Sequence, residues 1–250
     1  MKAAIITGAS SGMGREFVKL IDRKLTCIDE VWVIARRKER LEQLKERIEI
    51  PLVLMEMDLT DKEQRLRLRE ILKEKQPQVK MLVNCSGYGK IGLYEDIPEE
   101  DISGMIELNC LALTSVTYEV LPYMTKKSRI INLASSAAFL PQPKFAVYAA
   151  TKSYVLSFSR ALHEEVKKNG IFVTAVCPGP VRTEFFDIAQ MTGEVAFYKK
   201  IMMANPAKVV EQALRDSLKG KTVSVYGGMM KAFRILCKVL PHEWLMKFIV

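Results

Sequence analysis

The chain has 250 residues, 49% hydrophobic and 27% charged, with a formal net charge of +9. That length and balance suit a soluble globular chain with a full core and exclude a disordered or fibrous one. Five scattered cysteines without metal-ligand spacing exclude a disulfide scaffold and leave no metal site, and they fit buried thiols in a reducing, cytoplasmic setting.

The first apolar run, "KAAIIT" (2–7), reads as a buried strand and leaves nothing ahead of it for a targeting segment. A helix is expected over 12–24, then a strand at "EVWVIA" (30–35), a helix over 38–48 and a strand at "PLVLMEM" (51–57). A helix over 61–75 leads into the strand "KMLVN" (80–84). The next helix, 99–125, has a start signal: Asp96 as cap, Pro98 in the first turn and Glu99 three residues after the cap. Then come "RIINLA" (129–134), a helix over 145–168 without a clean start, and "IFVTAVC" (171–177). Farther on, "AKVVEQALRDSLKG" reads as a helix ending at Gly220 and "KTVSVYG" as a last strand. No apolar run reaches the ~18 residues that a membrane span needs.

Strands made of continuous Val, Ile and Leu runs are covered on both faces, and their alternation with helices predicts right-handed crossovers. The fold class is α/β: a doubly wound parallel β-sheet with helices on both faces, in one domain over 1–250. Much of the positive charge lies in "ARRKERLEQLKERI" and "DKEQRLRLREILKEKQPQVK", interleaved with glutamates. Such stretches are solvated helix faces, so no nucleic-acid partner is expected.

The turn after the first strand is "TGASSGMG", Thr7 to Gly14, with glycines at 8, 12 and 14. It lets backbone approach a ligand closely, and the following helix offers free N–H groups and a positive dipole end to a pyrophosphate. Ser10, Ser11 and Met13 complete the expected contact surface. A glycine-rich turn built only for packing is the alternative; the position between first strand and helix favours dinucleotide binding.

The spacing T-G-x-x-x-G-x-G resembles that of the short-chain dehydrogenase/reductases, and further motifs follow in order up to about residue 185. "MDLTD" holds Asp58 and Leu59 where the family meets the adenine ring, and "NCSG" resembles its N-N-A-G, with Asn84, Ser86 and Gly87 as contacts and Cys85 and Ser86 as departures. Asn109 falls mid-helix, where the family keeps a functional asparagine. Ser135 lies thirteen positions before Tyr148, and "YAATK" (148–152) matches Y-x-x-x-K. "PGPVRT", with Pro178, Gly179, Val181 and Thr183, is similar to the segment around the nicotinamide half. The resemblance implies a Rossmann-type fold, with 1–184 as cofactor-binding and catalytic core.

The second strand runs into "VIARRKER", with no acid at its tip and Arg36 and Arg37 directly following. An acid there suits the ribose 2′-hydroxyl of NAD, whereas a guanidinium suits the 2′-phosphate of NADP. NADP(H) is therefore expected over NAD(H).

The resemblance makes Asn109, Ser135, Tyr148 and Lys152 the catalytic set. Tyr148 would pass a proton to or from the substrate oxygen within ~3 Å. Lowering a phenol pKa by ~3 units takes about 4 kcal/mol, and the Lys152 ammonium, with the oxidised nicotinamide, is expected to act in that direction. Lys152 would also bond the nicotinamide ribose, Ser135 the substrate oxygen, and Asn109 a water relaying protons from Lys152. His163 and His242 match no motif and are read as structural.

The expected activity is an NADP(H)-dependent carbonyl reductase or alcohol dehydrogenase acting on an apolar carbonyl or secondary alcohol. The alternatives are an enoyl reductase of the same superfamily, disfavoured by the short tyrosine–lysine spacing, and an idle cofactor-binding sensor or scaffold. Residues 185–220 read as a substrate lid, with Phe185, Phe186, Phe197, Tyr198 and several methionines. The tail 229–250 reads as an apolar helix with Lys231, Arg234 and Lys238 in a basic stripe. Folding over the cleft or against a second subunit is favoured for it over contact with a membrane surface. The resemblance further implies a homodimer or homotetramer.

Overall fold

A computed structural model of the protein describes residues 1–189 and 203–247. The first two strands and first helix lie where the sequence puts them: β1 Lys2–Thr7, α1 Gly12–Lys24 and β2 Glu30–Ala35. Then come α2 Lys38–Lys45, β3 Leu52–Glu56, α3 Lys62–Lys75 and β4 Gln78–Asn84. After α4 Glu99–Ile106, a π-helical segment Glu107–Ala112 and α5 Leu113–Val120, the chain enters β5 Met124–Leu133. The remainder is α6 Ala146–Val166, β6 Phe172–Val176, α7 Phe185–Ala189, α8 Pro206–Leu218, β7 Val223–Ser224, α9 Gly228–Val239 and α10 His242–Met246.

The seven strands form one parallel sheet in the order β3-β2-β1-β4-β5-β6-β7, the single-domain, doubly wound architecture expected. Alternation along β1 explains why its strand is apolar throughout. Ala3 and Ile5, the latter in register with Trp32 and Leu82, pack on the face that also holds Leu68, Leu72 and Val116 from α3 and α5. Ala4 and Ile6 pack on the opposite face with Phe17 and Ile21 of α1 and Leu214 of α8. Each large side chain fully removed from water there contributes ~1.5–3 kcal/mol.

The long helix expected over 99–125 is corrected in three respects. Asp96 closes a short 3₁₀ turn, Tyr94–Asp96, and does not cap the helix; α4 starts at Glu99, with Pro98 as its extended N-cap. The helix is interrupted by the π-helical segment around Asn109 and ends at Val120. The strand that follows begins at Met124, five residues before "RIINLA". The polar run "TKKS" hides it, since Ser128 Oγ bonds the Val79 carbonyl and Lys127, at φ 68°, donates its N–H to Gly170. β4 likewise starts two residues early, at Gln78, and α2 stops at Lys45. β7 is only two residues long, because the chain leaves the sheet toward Gly227, at φ 84°.

The basic helix faces are paired at helical spacing, as Lys19–Glu16, Lys73–Glu70, Lys167–Glu164 and Lys38–Glu42. Exposed pairs of this kind contribute little to stability.

Candidate active site

Strand order reverses direction between β1 and β4, and a parallel sheet opens a crevice at such a point beyond the strand ends. Thr7, the last residue of β1, sets its geometry: its Oγ1 accepts from the N–H groups of Cys85 and Ser86, both at 3.1 Å. The turn after β1 is thereby tied to the turn after β4. Gly8 stands at the join with φ 67°, and a Cβ on it would lie 2.8 Å from Ser86 N. A Cβ on Gly14 would lie 2.3 Å from the Gly8 carbonyl oxygen, so α1 packs directly on its own turn.

Ser11 caps α1 in extended conformation but its hydroxyl makes no bond to the helix. Instead Ser11 and Ser10 accept from Arg37 at 2.9 and 3.2 Å. The first-turn N–H groups of α1 stay available to an anion, with no acidic side chain competing. A backbone cradle kept clear by glycines, with free amides and an arginine beside it, fits a dinucleotide pyrophosphate. Gly14→Ala is expected to destabilise the fold by about 2 kcal/mol through the backbone collision. Thermal melts would read that as a drop of roughly 4–8 °C in a chain of this size.

The cleft has a volume of about 940 Å³ and runs from Arg36 and Asp58, past the glycine turn, to Ser135 and Tyr148. At the near end Arg36 approaches Asp58 at 3.7 Å, and Asp58 Oδ1 accepts from the backbone N–H and the hydroxyl of Thr60. At the far end α6 carries Tyr148 and Lys152, both buried, one turn apart. Phe145, three residues before Tyr148, stacks on its ring at 4.3 Å between centroids, and Phe185 closes from α7 at 5.2 Å. Lys152 Nζ donates to the Leu133 carbonyl at 2.7 Å and lies 5.5 Å from the Tyr148 ring centre. Ser135 Oγ accepts from the Ala137 N–H at 3.1 Å and keeps its own proton to donate.

Residues 2–192 match the short chain dehydrogenase family. The chain belongs to that family. It is 30% identical over 215 residues to an uncharacterized oxidoreductase of Staphylococcus epidermidis, covering 85% of this chain and 90% of that one. It is also 30% identical over 199 residues to the human very-long-chain 3-oxoacyl-CoA reductase, covering 76% of this chain but only 62% of that longer protein. Among solved structures, the closed form of serine dehydrogenase complexed with NADP+ superposes with a TM-score of 0.79 at 26% identity, covering 90% of this chain and 94% of the other.

In this short-chain dehydrogenase every residue expected to touch cofactor lines the one cleft, except Asn84. Asn84 is buried, and its amide donates to Thr117 Oγ1 at 3.0 Å and Asn132 Oδ1 at 2.9 Å, which ties β4 to α5 and β5. Asn109 does not line the cleft either. It sits in the π-helical segment, where the helix ladder is interrupted. Its amide donates to the Tyr88 carbonyl at 2.8 Å and Thr151 Oγ1 at 3.0 Å, while Oδ1 accepts from the Tyr88 N–H at 3.1 Å. Asn109 thus joins the wall after β4 to the helix that carries Tyr148. A Cβ on Gly87 would lie 2.8 Å from Asn109 Oδ1 and 3.4 Å from Lys152 Nζ, so these two groups converge across that glycine.

The electrostatics correct the expectation for Tyr148. Burial pushes its phenol up to about 12, against the opposing pull of the Ser135 hydroxyl. Burial also holds the Lys152 ammonium down at about 8. Among the chain's own groups, desolvation is the largest influence on the phenol, and the acidifying pull comes from Ser135, not from the lysine. Cys85 and Cys177, close to Lys152, are neutral thiols whose pKa values burial drives upward. His163 and His242 bond the backbone of Val173 and Cys237.

Sequence reasoning missed Arg40, Glu184, Phe145, Met230 and Phe233. Phe145 had a signal, its i, i+3 position before Tyr148. Met230 and Phe233 turn one face of α9 into a wall of the cleft, while Ile235, Val239 and Trp244 remain exposed on the outside. Phe197 and Tyr198 of the expected lid lie outside the described residues. Among the described residues no helix is long and apolar enough to cross a membrane.

Proposed function

We propose that this chain is an NADP(H)-dependent oxidoreductase that interconverts an apolar carbonyl compound and its secondary alcohol. The observation that carries the proposal is the far end of the cleft: a buried Tyr148 that shares the cleft with Ser135 and packs against Phe145 and Phe185. Bound nicotinamide would supply or accept the hydride. Tyr148 delivers the proton to the substrate oxygen in reduction and removes it in oxidation; Ser135 donates a hydrogen bond to that oxygen. Lys152 holds the nicotinamide ribose, and Asn109 positions the wall beside it. The aromatic wall excludes water and receives the apolar part of the substrate.

Arg37, held at the glycine turn by Ser10 and Ser11, is the group proposed to meet the 2′-phosphate, with Arg36 alongside. The likeness to a dehydrogenase seen with NADP+ supports that assignment, and the likeness to a 3-oxoacyl-CoA reductase supports a lipid-derived carbonyl as one class to try. The four-residue Tyr148–Lys152 spacing continues to disfavour an enoyl reductase. Exposed Ile106, Leu111, Tyr118 and Tyr154 on α4, the π-helical segment, α5 and α6 suit pairing with a second copy, and the five free cysteines suit a reducing cytoplasm.

The test is NADPH oxidation over a panel of apolar ketones and aldehydes, with NADH in parallel. NADPH is expected to bind at least about tenfold more tightly than NADH, the scale of one charge-assisted phosphate contact. Equal or tighter NADH binding sinks the cofactor assignment, and no turnover with either cofactor, in either direction, sinks the enzyme.

A further inference from the structure

Arg37 does not stand free at the cleft. Its Nη1 donates to Glu184 Oε2 at 3.1 Å. Arg40, one turn along α2, donates from Nη1 to both oxygens of the same carboxylate, at 2.6 and 2.8 Å. Glu184 comes from the opposite wall, after β6: its carbonyl accepts from Ile188 in the first turn of α7, and the next residue, Phe185, packs on Tyr148. The preceding residue, Thr183, closes on the glycine turn, for a Cβ on Gly12 would meet its side chain at 3.4 Å. The carboxylate therefore bridges the two walls of the cleft at the point where the guanidinium faces it. Burial works to raise its pKa, but the hydrogen bonds from Arg40 and Arg37 hold it below the usual carboxylate range, so it is ionised at neutral pH.

We propose that Glu184 is a built-in competitor for the ribose 2′-phosphate and sets how strongly the protein prefers the phosphorylated dinucleotide. The inference rests on the cofactor assignment proposed above. Arg37 has a fixed fork of donors, and one arm is taken by Glu184. A phosphate arriving at that arm must displace the carboxylate or lie beside it, and a doubly charged phosphate next to a carboxylate is repelled. An unphosphorylated ribose carries no charge and meets no such opposition. The carboxylate thus acts against the phosphorylated cofactor alone. Because Glu184 leads into α7, its displacement would also release the start of the element that presses Phe185 onto Tyr148.

The test is calorimetric titration of the wild type, Glu184→Gln and Glu184→Ala with 2′,5′-ADP and 5′-AMP, then with NADPH and NADH. Both variants are expected to bind 2′,5′-ADP and NADPH about tenfold more tightly, the order of effect of removing one half-exposed like charge. Binding of 5′-AMP and NADH should stay within about twofold of the wild type, which also shows that the variants are folded. Unchanged or weaker 2′,5′-ADP binding in either variant overturns the inference, since the carboxylate would then be holding the arginines ready. Equal tightening of all four ligands overturns it too, because the effect would not be specific to phosphate. The wild type alone tests the cofactor assignment: no preference for 2′,5′-ADP over 5′-AMP sinks that assignment, whereas the ratio of variant to wild type judges Glu184.

Discussion

Tyr148→Phe is expected to lower turnover by about 10²–10⁴-fold, the range supplied by one positioned general acid or base. The substitution removes only the hydroxyl. The ring stays stacked on Phe145 and packed at a tilt against Phe185, so the wall of the cleft and NADPH binding should survive. Calorimetry with NADPH and single-turnover kinetics separate the two effects, and retained turnover would overturn the proton-transfer role. With the phenol pushed up to about 12 by burial, Tyr148 is protonated across the neutral range. Reduction, which needs the protonated form, should therefore hold its rate through neutral pH, and oxidation, which needs the phenolate, should accelerate as pH rises. The oxidised nicotinamide's positive charge favours the phenolate and would move the oxidation profile to lower pH.

Lys152→Met is expected to abolish turnover and, at pH 7, to make the fold more stable. Burial holds the Lys152 ammonium at about 8, below its ordinary 10.5. A depressed basic pKa means that the folded state releases a proton more readily than the unfolded one. Stability is then lower below pH 8 and rises as pH climbs from about 8 to 10.5. The size of the depression corresponds to about 3 kcal/mol, and the lost bond to the Leu133 carbonyl returns about 1 kcal/mol of it. A net gain of about 2 kcal/mol at pH 7, shrinking at pH 10, is the expected result of denaturant titrations. A variant less stable than the wild type at pH 7 would show that the ammonium is well solvated in its site.

The two predictions differ in how far the sequence reaches. The tyrosine and lysine share a helix face because they are four apart, and that is local geometry. The direction of their pKa shifts depends on what surrounds the helix. Leu133 from β5, Cys177 after β6 and Phe185 from α7 close over the pair, and none of these is its sequence neighbour. Asn84 and Asn109 make the same point. Their place in the motifs was legible, but whether each faces the cleft or the interior depended on Thr117, Asn132 and Tyr88.

By itself the sequence determined the parallel α/β sheet, the glycine turn at its first crossover and the helix bearing Tyr148 and Lys152, since apolar runs, glycine spacing and helical periodicity are written within a few residues. It missed the start of β5, where hydrogen bonds to Val79 and Gly170 hold a polar segment in the sheet. Only the tertiary structure decided that Asn84 is a tie between strands, that burial governs Tyr148 and Lys152, and that Glu184 reaches the arginines 144 and 147 residues away. Desolvation and charge pairing depend on which distant segments meet, and a linear pattern of residues does not carry that distance.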